Sequence, residues 1–214
     1  MLEKKGVPLV IVTGRSLSWG HFLLTHFSYL KEVIVEGGGA ILSKKNAKEP
    51  RQISEEILIS NDEIKLLKNI SEHLVKEIAG VKLSADSFGR LTDRAIELFD
   101  LASPELVKSV AEFLIKNKVN YSKSNVHLNF WVGEISKSIA VQKLVNEKNW
   151  DPQRLLYFGD SLNDQSMFRD FKHTVGVSNI DKVIKQMKQL PSMILEGPEN
   201  EGPLGVLQFL NKYL

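Results

Sequence analysis

Apolar and polar positions follow two different rhythms along this chain. Val7-Pro8-Leu9-Val10-Ile11-Val12 and Val33-Ile34-Val35 are nearly continuous aliphatic runs rich in β-branched residues, the pattern of strands buried on both faces of a parallel sheet. Between them Leu17, Phe22, Leu23, Phe27 and Leu30 recur at helical spacing, behind Ser16 and Ser18, either of which can cap the helix. A short hairpin-like return through Ile41-Leu42 follows. The same rhythm resumes beyond Gly133, with a helix carrying Ile139, Val141, Leu144 and Val145 behind Ser136, and a strand over Leu155–Gly159. Next come a helix from Gln165, a strand over His173–Val177 and a helix from Ile180 to Leu190, then a strand over Ser192–Leu195 and a closing helix from Gly205 to Leu214. Alternating strands and helices predict an α/β fold, a Rossmann-like parallel sheet core flanked by helices.

The middle of the chain reads differently. Polar residues Lys44 to Pro50 mark a junction. Beyond them the pattern predicts a strand at Glu56–Ile59, an amphipathic helix from Asn61 to about Ala79, and strands at Val81–Leu83 and Ala95–Phe99. A second helix opens at Ser103-Pro104-Glu105 and runs to Asn117, followed by strands at Val119–Ser122 and Val126–Trp131. Two long helices on one side of such strands make an α+β layer. The expected organisation is therefore a core of residues 1–43 and 129–214, with 44–128 inserted as an α+β cap.

Composition narrows the function. The 214 residues carry a formal charge of +2 with acids and bases interspersed, which excludes a nucleic-acid-binding stripe or a polybasic membrane patch and leaves small anionic ligands. There is no cysteine, so disulfides, thiolate nucleophiles and cysteine-bound metal clusters are excluded, in keeping with a reducing cytoplasm. No apolar run approaches bilayer length and no signal peptide opens the chain; the expectation is a cytoplasmic protein without membrane partners.

Candidate chemistry gathers at strand ends. Gly159-Asp160-Ser161-Leu162-Asn163-Asp164 brings two carboxylates and an amide to the carboxyl end of one predicted strand, where open α/β sheets bind ligands. A helix cap needs only one short polar side chain, so the added Asn-Asp favours a metal site with Asp160 in front. Thr13-Gly14-Arg15 ends the first strand beside a helix N-terminus; its hydroxyl and N–H groups suit a phosphoryl oxygen, and equally a plain turn. Lys137 falls in the first turn of a helix, where the dipole disfavours a cation unless an anion faces it. The three glycines of Glu36-Gly37-Gly38-Gly39-Ala40 remove side chains where something must come close.

Thr13-Gly14-Arg15, Lys137 after an inserted α+β module, and Gly159 to Asp164, in that order, resemble the haloacid dehalogenase superfamily. The likeness is to its phosphatases with a large cap between the second and third motifs, the group of sucrose-phosphate and mannosylphosphoglycerate phosphatases. The resemblance implies that Thr13, Gly14 and Arg15 bind the phosphoryl group and that Lys137 neutralises developing charge. It implies that Asp160 and Asp164 hold Mg2+, that Asn163 completes the site, and that the substrate is a small phosphorylated metabolite, a sugar phosphate. It also implies that Thr13, Lys137 and Asp160 converge. The Glu36 segment looks like the family's Glu-Asn-Gly stretch with its asparagine replaced.

One part of the family pattern is missing. The family's first strand ends in Asp-x-Asp, which supplies nucleophile and general acid, and no Asp-x-Asp occurs in these 214 residues. The chain as given is thus expected to lack turnover, and the first core strand to be absent, leaving two rows of unpaired backbone groups. The alternative function is a catalytically dead module that binds a phosphorylated ligand or a protein.

Overall fold

The structure is a computed structural model that describes residues 1–45, 52–123 and 126–214. Residues 46–50 of the expected polar junction lie outside the described residues. The chain forms two compact units, Met1–Val141 and Gln142–Leu214.

In the first unit β1 (Val10–Val12) pairs in parallel with β2 (Glu32–Val35), and α1 (Leu17–His26) connects them. Every residue of β2 is buried, as its unbroken aliphatic run predicts. Gly37, at φ 66°, turns the chain into β3 (Ala40–Lys44), which returns antiparallel to β2. The next strand is β4 (Ile53–Ile57), shifted a few residues upstream of the expected Glu56–Ile59 and paired with β3. It extends the first sheet because Ile53 and Ile57, two pleats apart, set their side chains against the core of Leu24, Val33 and Leu42.

The α+β layer of this unit follows the expected order. α2 (Asn61–Glu77) opens with a capping box, Ser60 accepting from Glu63 N and Glu63 accepting from Ser60 N. α3 (Pro104–Lys116) is capped by Ser103, with proline at its first position. β5 (Arg94–Glu97), β6 (Asn120–Lys123) and β7 (His127–Trp131) form an antiparallel sheet in the order β5-β7-β6. One face, Ile96, Leu128 and Phe130, packs on Leu67, Leu74 and Leu114 of the helices. The register sets Glu97 opposite His127 and Ala95 opposite Asn129, so polar groups share the other face. Val81–Leu83 is not a strand: Val81 drops into the helical core, and the pairing with β5 amounts to a bond from Ser84 N to Ala95 O.

α4 (Lys137–Glu147) begins in the first unit. The second unit holds β8 (Leu156–Gly159), α5 (Gln165–Asp170), β9 (His173–Gly176), β10 (Met193–Ile194) and α6 (Gly202–Tyr213), with the strands parallel in the order β10-β9-β8. Two short 3-10 turns, Ser178–Lys182 and Ile184–Gln186, stand where a helix over Ile180–Leu190 was expected. Only Ile180 is buried along this stretch, too little apolar contact to hold a helix containing β-branched Ile180, Val183 and Ile184.

Among the described residues β1 has no strand partner except β2, and β8 none except β9. Both were read as interior strands, yet Val10, Ile11 and Val12 are half-buried and Leu156 is 40% exposed. Each of these strands therefore leaves one row of backbone groups without a strand partner among the described residues. No helix of the described residues is long and apolar enough to cross a membrane.

Candidate functional site

In the first unit, β1 ends in a turn held from several sides. Thr13 N donates to Ile34 O (2.9 Å), Glu36 N to Arg15 O (2.9 Å) and Gly37 N to Thr13 O (3.1 Å). Thr13 Oγ1 accepts from Arg15 N (3.1 Å), which leaves its hydroxyl proton available to another acceptor. Arg15 is exposed, its guanidinium 5.6 Å from the Trp19 ring centre.

The neighbouring turn holds a buried carboxylate that sequence reasoning did not single out for a role. Glu36, 1% exposed and at φ 52°, accepts at Oε1 from Leu17 N (3.1 Å) and at Oε2 from Thr92 N (2.5 Å), Thr92 Oγ1 (2.6 Å) and Asp93 N (3.3 Å). Leu91 N reaches both oxygens. Glu36 therefore does the work expected of Ser16 or Ser18. Ser16 stands at the N-cap of α1, but its buried hydroxyl makes no bond while Glu36 takes the first helical N–H. The signal lay in the Glu-Gly-Gly run, but its partners are up to 57 residues away.

The glycines after Glu36 mark the close approach they suggested. A Cβ on Gly38, whose φ is 108°, would lie 2.1 Å from Ser136 O and 2.9 Å from Lys137 N; one on Gly39 would lie 1.8 Å from Thr92 Oγ1. Ser136 caps α4 as expected, accepting from Ile139 N (3.2 Å), and Lys137 follows at 6% exposure. The Thr13–Arg15 turn and the start of α4 thus both pack on the Glu36–Gly38 turn, which brings Thr13, Gly14, Arg15 and Lys137 into one neighbourhood.

A second charged cluster adjoins this turn. Arg90, buried, donates from Nε and Nη2 to the two oxygens of Asp86 (2.8 and 2.9 Å), and from Nη1 to Asp93 (2.8 and 3.0 Å) and to Gly14 O (3.0 Å). Asn129 Nδ2 donates to Asp93 Oδ2 (2.8 Å). Burial pushes the Asp93 carboxyl up to about 7 against the pull of Arg90, with the charge of Glu36 adding to the rise. For Asp86, bonding to Arg90 outweighs burial and holds the carboxyl below its ordinary range.

In the second unit, β8 stops at Gly159 and the expected polar loop follows. Asp164, 2% exposed, accepts at Oδ1 from Tyr157 OH (2.5 Å) and at Oδ2 from Asp160 N (2.9 Å), Ser161 N (2.9 Å) and Ser161 Oγ (3.1 Å). A Cβ on Gly159 would strike this carboxylate at 2.8 Å, so glycine there lets Asp164 fold back beneath the loop. Burial, then the Asp164 charge, raises the Tyr157 phenol well above its ordinary value and keeps it a donor. Asn163 Oδ1 accepts from Ser161 Oγ (2.7 Å). Asp160 is partly exposed, and its Oδ2 accepts from Asn179 Nδ2 (2.5 Å). Asn179 Oδ1 in turn accepts from Gly202 N at the start of α6 (2.9 Å). Asn179 was not singled out from sequence; its position just past β9, beside the end of β8, was the available signal.

Among the described residues no group of three or more His, Asp or Glu converges on one point. The donors of the Asp160 loop nonetheless fit a hard cation of the magnesium kind, which keeps several waters and takes one or two carboxylates plus phosphate oxygens. Asp160 has an oxygen to offer. Asp164 accepts from the Tyr157 hydroxyl and from the Asp160 and Ser161 N–H groups, and serves to hold the loop.

A family model described as haloacid dehalogenase-like hydrolase matches residues 52–192. A phosphoglycolate phosphatase of Methanobrevibacter smithii is 25% identical over 193 residues, covering 86% of this chain and 76% of the relative. A Thermoplasma acidophilum structure superposes with a TM-score of 0.75 at 18% identity, covering 98% of this chain and 85% of that one. The sucrose-phosphatase of Synechocystis, solved with sucrose and phosphate, gives 0.61 at 16% identity, covering 99% and 77%. A model that accounts for most of the chain, together with the sheet order and the loops at its strand ends, places this protein among the haloacid dehalogenase-like hydrolases.

Proposed function

We propose that this chain is a phosphatase-type protein that binds the phosphoryl group of a small phosphorylated metabolite, a sugar phosphate, with Mg2+ as its cofactor. Thr13, Gly14 and Arg15 receive phosphoryl oxygens through the Thr13 hydroxyl and the guanidinium. Lys137 offsets their charge, and Asn163 adds an amide contact. Asp160 is the direct carboxylate ligand of the cation, which on binding would neutralise phosphoryl charge. Asp164 holds the Asp160 loop, and the α+β layer of α2, α3 and β5–β7 acts as the cap that selects the substrate, since β4 within the expected 44–128 belongs to the first sheet. The observation that supports this reading best is the joint packing of the Thr13–Arg15 turn and the start of α4 on the Glu36–Gly38 turn.

Chemistry is a separate matter. The buried carboxylates Glu36 and Asp164 are committed to hydrogen bonds, and no Asp-x-Asp exists in the 214 residues. The chain as given therefore binds without forming a phosphoenzyme. This also keeps the alternative in play, a catalytically dead module for a phosphorylated ligand.

Calorimetric titration with inorganic phosphate tests the binding. The expected result is millimolar or tighter affinity that strengthens with magnesium, is lost in Thr13→Val and loses its magnesium dependence in Asp160→Ala. Phosphate binding indifferent to both substitutions would refute the assignment.

A further inference from the structure

We infer that Arg90 is a positioning residue for the Thr13–Arg15 turn, a role that rests on the reading of that turn as the phosphoryl receiver. Its guanidinium is fully buried and divides its donors among three acceptors: both oxygens of Asp86, both oxygens of Asp93, and the carbonyl of Gly14. The bond to Gly14 crosses 76 residues of sequence. Asp86 and Asp93 fix the plane of the guanidinium, and the carbonyl at the centre of the turn then has one place to sit.

Glu36 makes the arrangement reciprocal. It grips the backbone N–H groups of Leu91, Thr92 and Asp93, the residues that follow Arg90, while its own N–H holds Arg15 O. A carboxylate from the first sheet thus binds the loop, and a guanidinium from the loop binds the first sheet. Both side chains are buried, which limits competition from water. Ordering the 13–15 turn and ordering the 86–93 loop are then one event, and an anion seated on the turn stabilises the loop at the same time.

Lysine at position 90 separates this role from simple charge. Its single ammonium can satisfy Asp93 but cannot also span the two oxygens of Asp86 and reach Gly14 O. Hydrogen exchange of the Arg15, Glu36 and Gly37 amides reads the turn directly without ligand, since these donate to Thr13 Oγ1, Arg15 O and Thr13 O. In Arg90→Lys these three amides exchange at least tenfold faster while those of β6 and β7 keep their rates, and inorganic phosphate affinity falls about tenfold. Lys82→Met, which removes an exposed ion pair with Asp100, changes neither. Unchanged exchange in Arg90→Lys, or an increase spread evenly across the first unit, overturns the inference. Altered exchange with no phosphate binding even in the unmodified protein sinks the phosphoryl reading and leaves the positioning role standing. Should Arg90→Lys not fold, Asp86→Asn, which frees one side of the guanidinium, is expected to speed the same amides about threefold, and no change there overturns the inference equally.

Discussion

Gly38→Ala is the substitution for which the structure gives the clearest magnitude. The new Cβ would stand 2.1 Å from the Ser136 carbonyl oxygen and 2.4 Å from its carbon, where ordinary contact begins near 3.4 Å, so the start of α4 must retreat by about 1.3 Å. Backbone cannot rotate away as a side-chain tip can. The φ of 108° is itself strained for alanine by roughly 1–3 kcal/mol. Overpacking against a rigid neighbour adds about 1–3 kcal/mol more. A loss of about 4 kcal/mol follows, a large part of the roughly 5–15 kcal/mol that keeps a domain folded. Gly37→Ala is the matched control: φ is 66°, nothing lies within 4 Å, and about 1–2 kcal/mol is expected from the left-handed backbone alone. Urea unfolding followed by tryptophan fluorescence in a Trp150→Phe background, which leaves Trp19 and Trp131 of the first unit as reporters, compares the two variants. Because Lys137 is carried by the displaced segment, phosphate affinity should also fall in Gly38→Ala and not in Gly37→Ala. Unfolding free energies for the two variants within about 1 kcal/mol of each other would refute the close approach.

Other outcomes follow from the same geometry. Asp164→Ala loses the acceptor for the Asp160 and Ser161 N–H groups and should cost about 2–3 kcal/mol by thermal denaturation; a loss under about 0.5 kcal/mol would show the loop holds itself. Asn179→Ala frees the Asp160 carboxylate and should weaken magnesium-dependent phosphate binding about tenfold, measured by calorimetry, while leaving phosphate binding without magnesium unchanged. Asp93 holds a proton up to about pH 7 when folded but releases it near its ordinary 3.8 when unfolded, so it makes stability fall as pH rises from about 4 through 7 and level off above. That contribution amounts to about 2–3 kcal/mol between pH 5 and 8, and Asp93→Asn should abolish it; parallel pH profiles for the two proteins would contradict a raised carboxyl. With p-nitrophenyl phosphate and magnesium the chain should show no turnover above background, and activity abolished by Asp160→Ala would reveal a different nucleophile.

What sequence revealed and what it hid divide along chain separation. The strands, the caps at Ser103 and Ser136, and the polar loop after Gly159 are written in neighbouring residues, because periodicity and capping act over a few positions. The Gly38 approach was announced by the glycine run, though not its partner. The duties of Glu36 and Arg90 depend on contacts 55 and 76 residues away, which no local pattern encodes. The hold that Asp164 keeps on its loop comes from the Tyr157 hydroxyl and backbone donors, which the local pattern did not announce. The helix expected after Ile180 failed for the converse reason, since its apolar spacing was adequate but only Ile180 along it is buried.

The short first strand has a bearing on how the protein behaves in a tube. A ribbon of three residues offers few backbone groups to an intruder, and Pro8, just upstream, contributes no donor at all. Foreign chains seeking a template therefore gain little there. Association of copies through that edge should accordingly be weak.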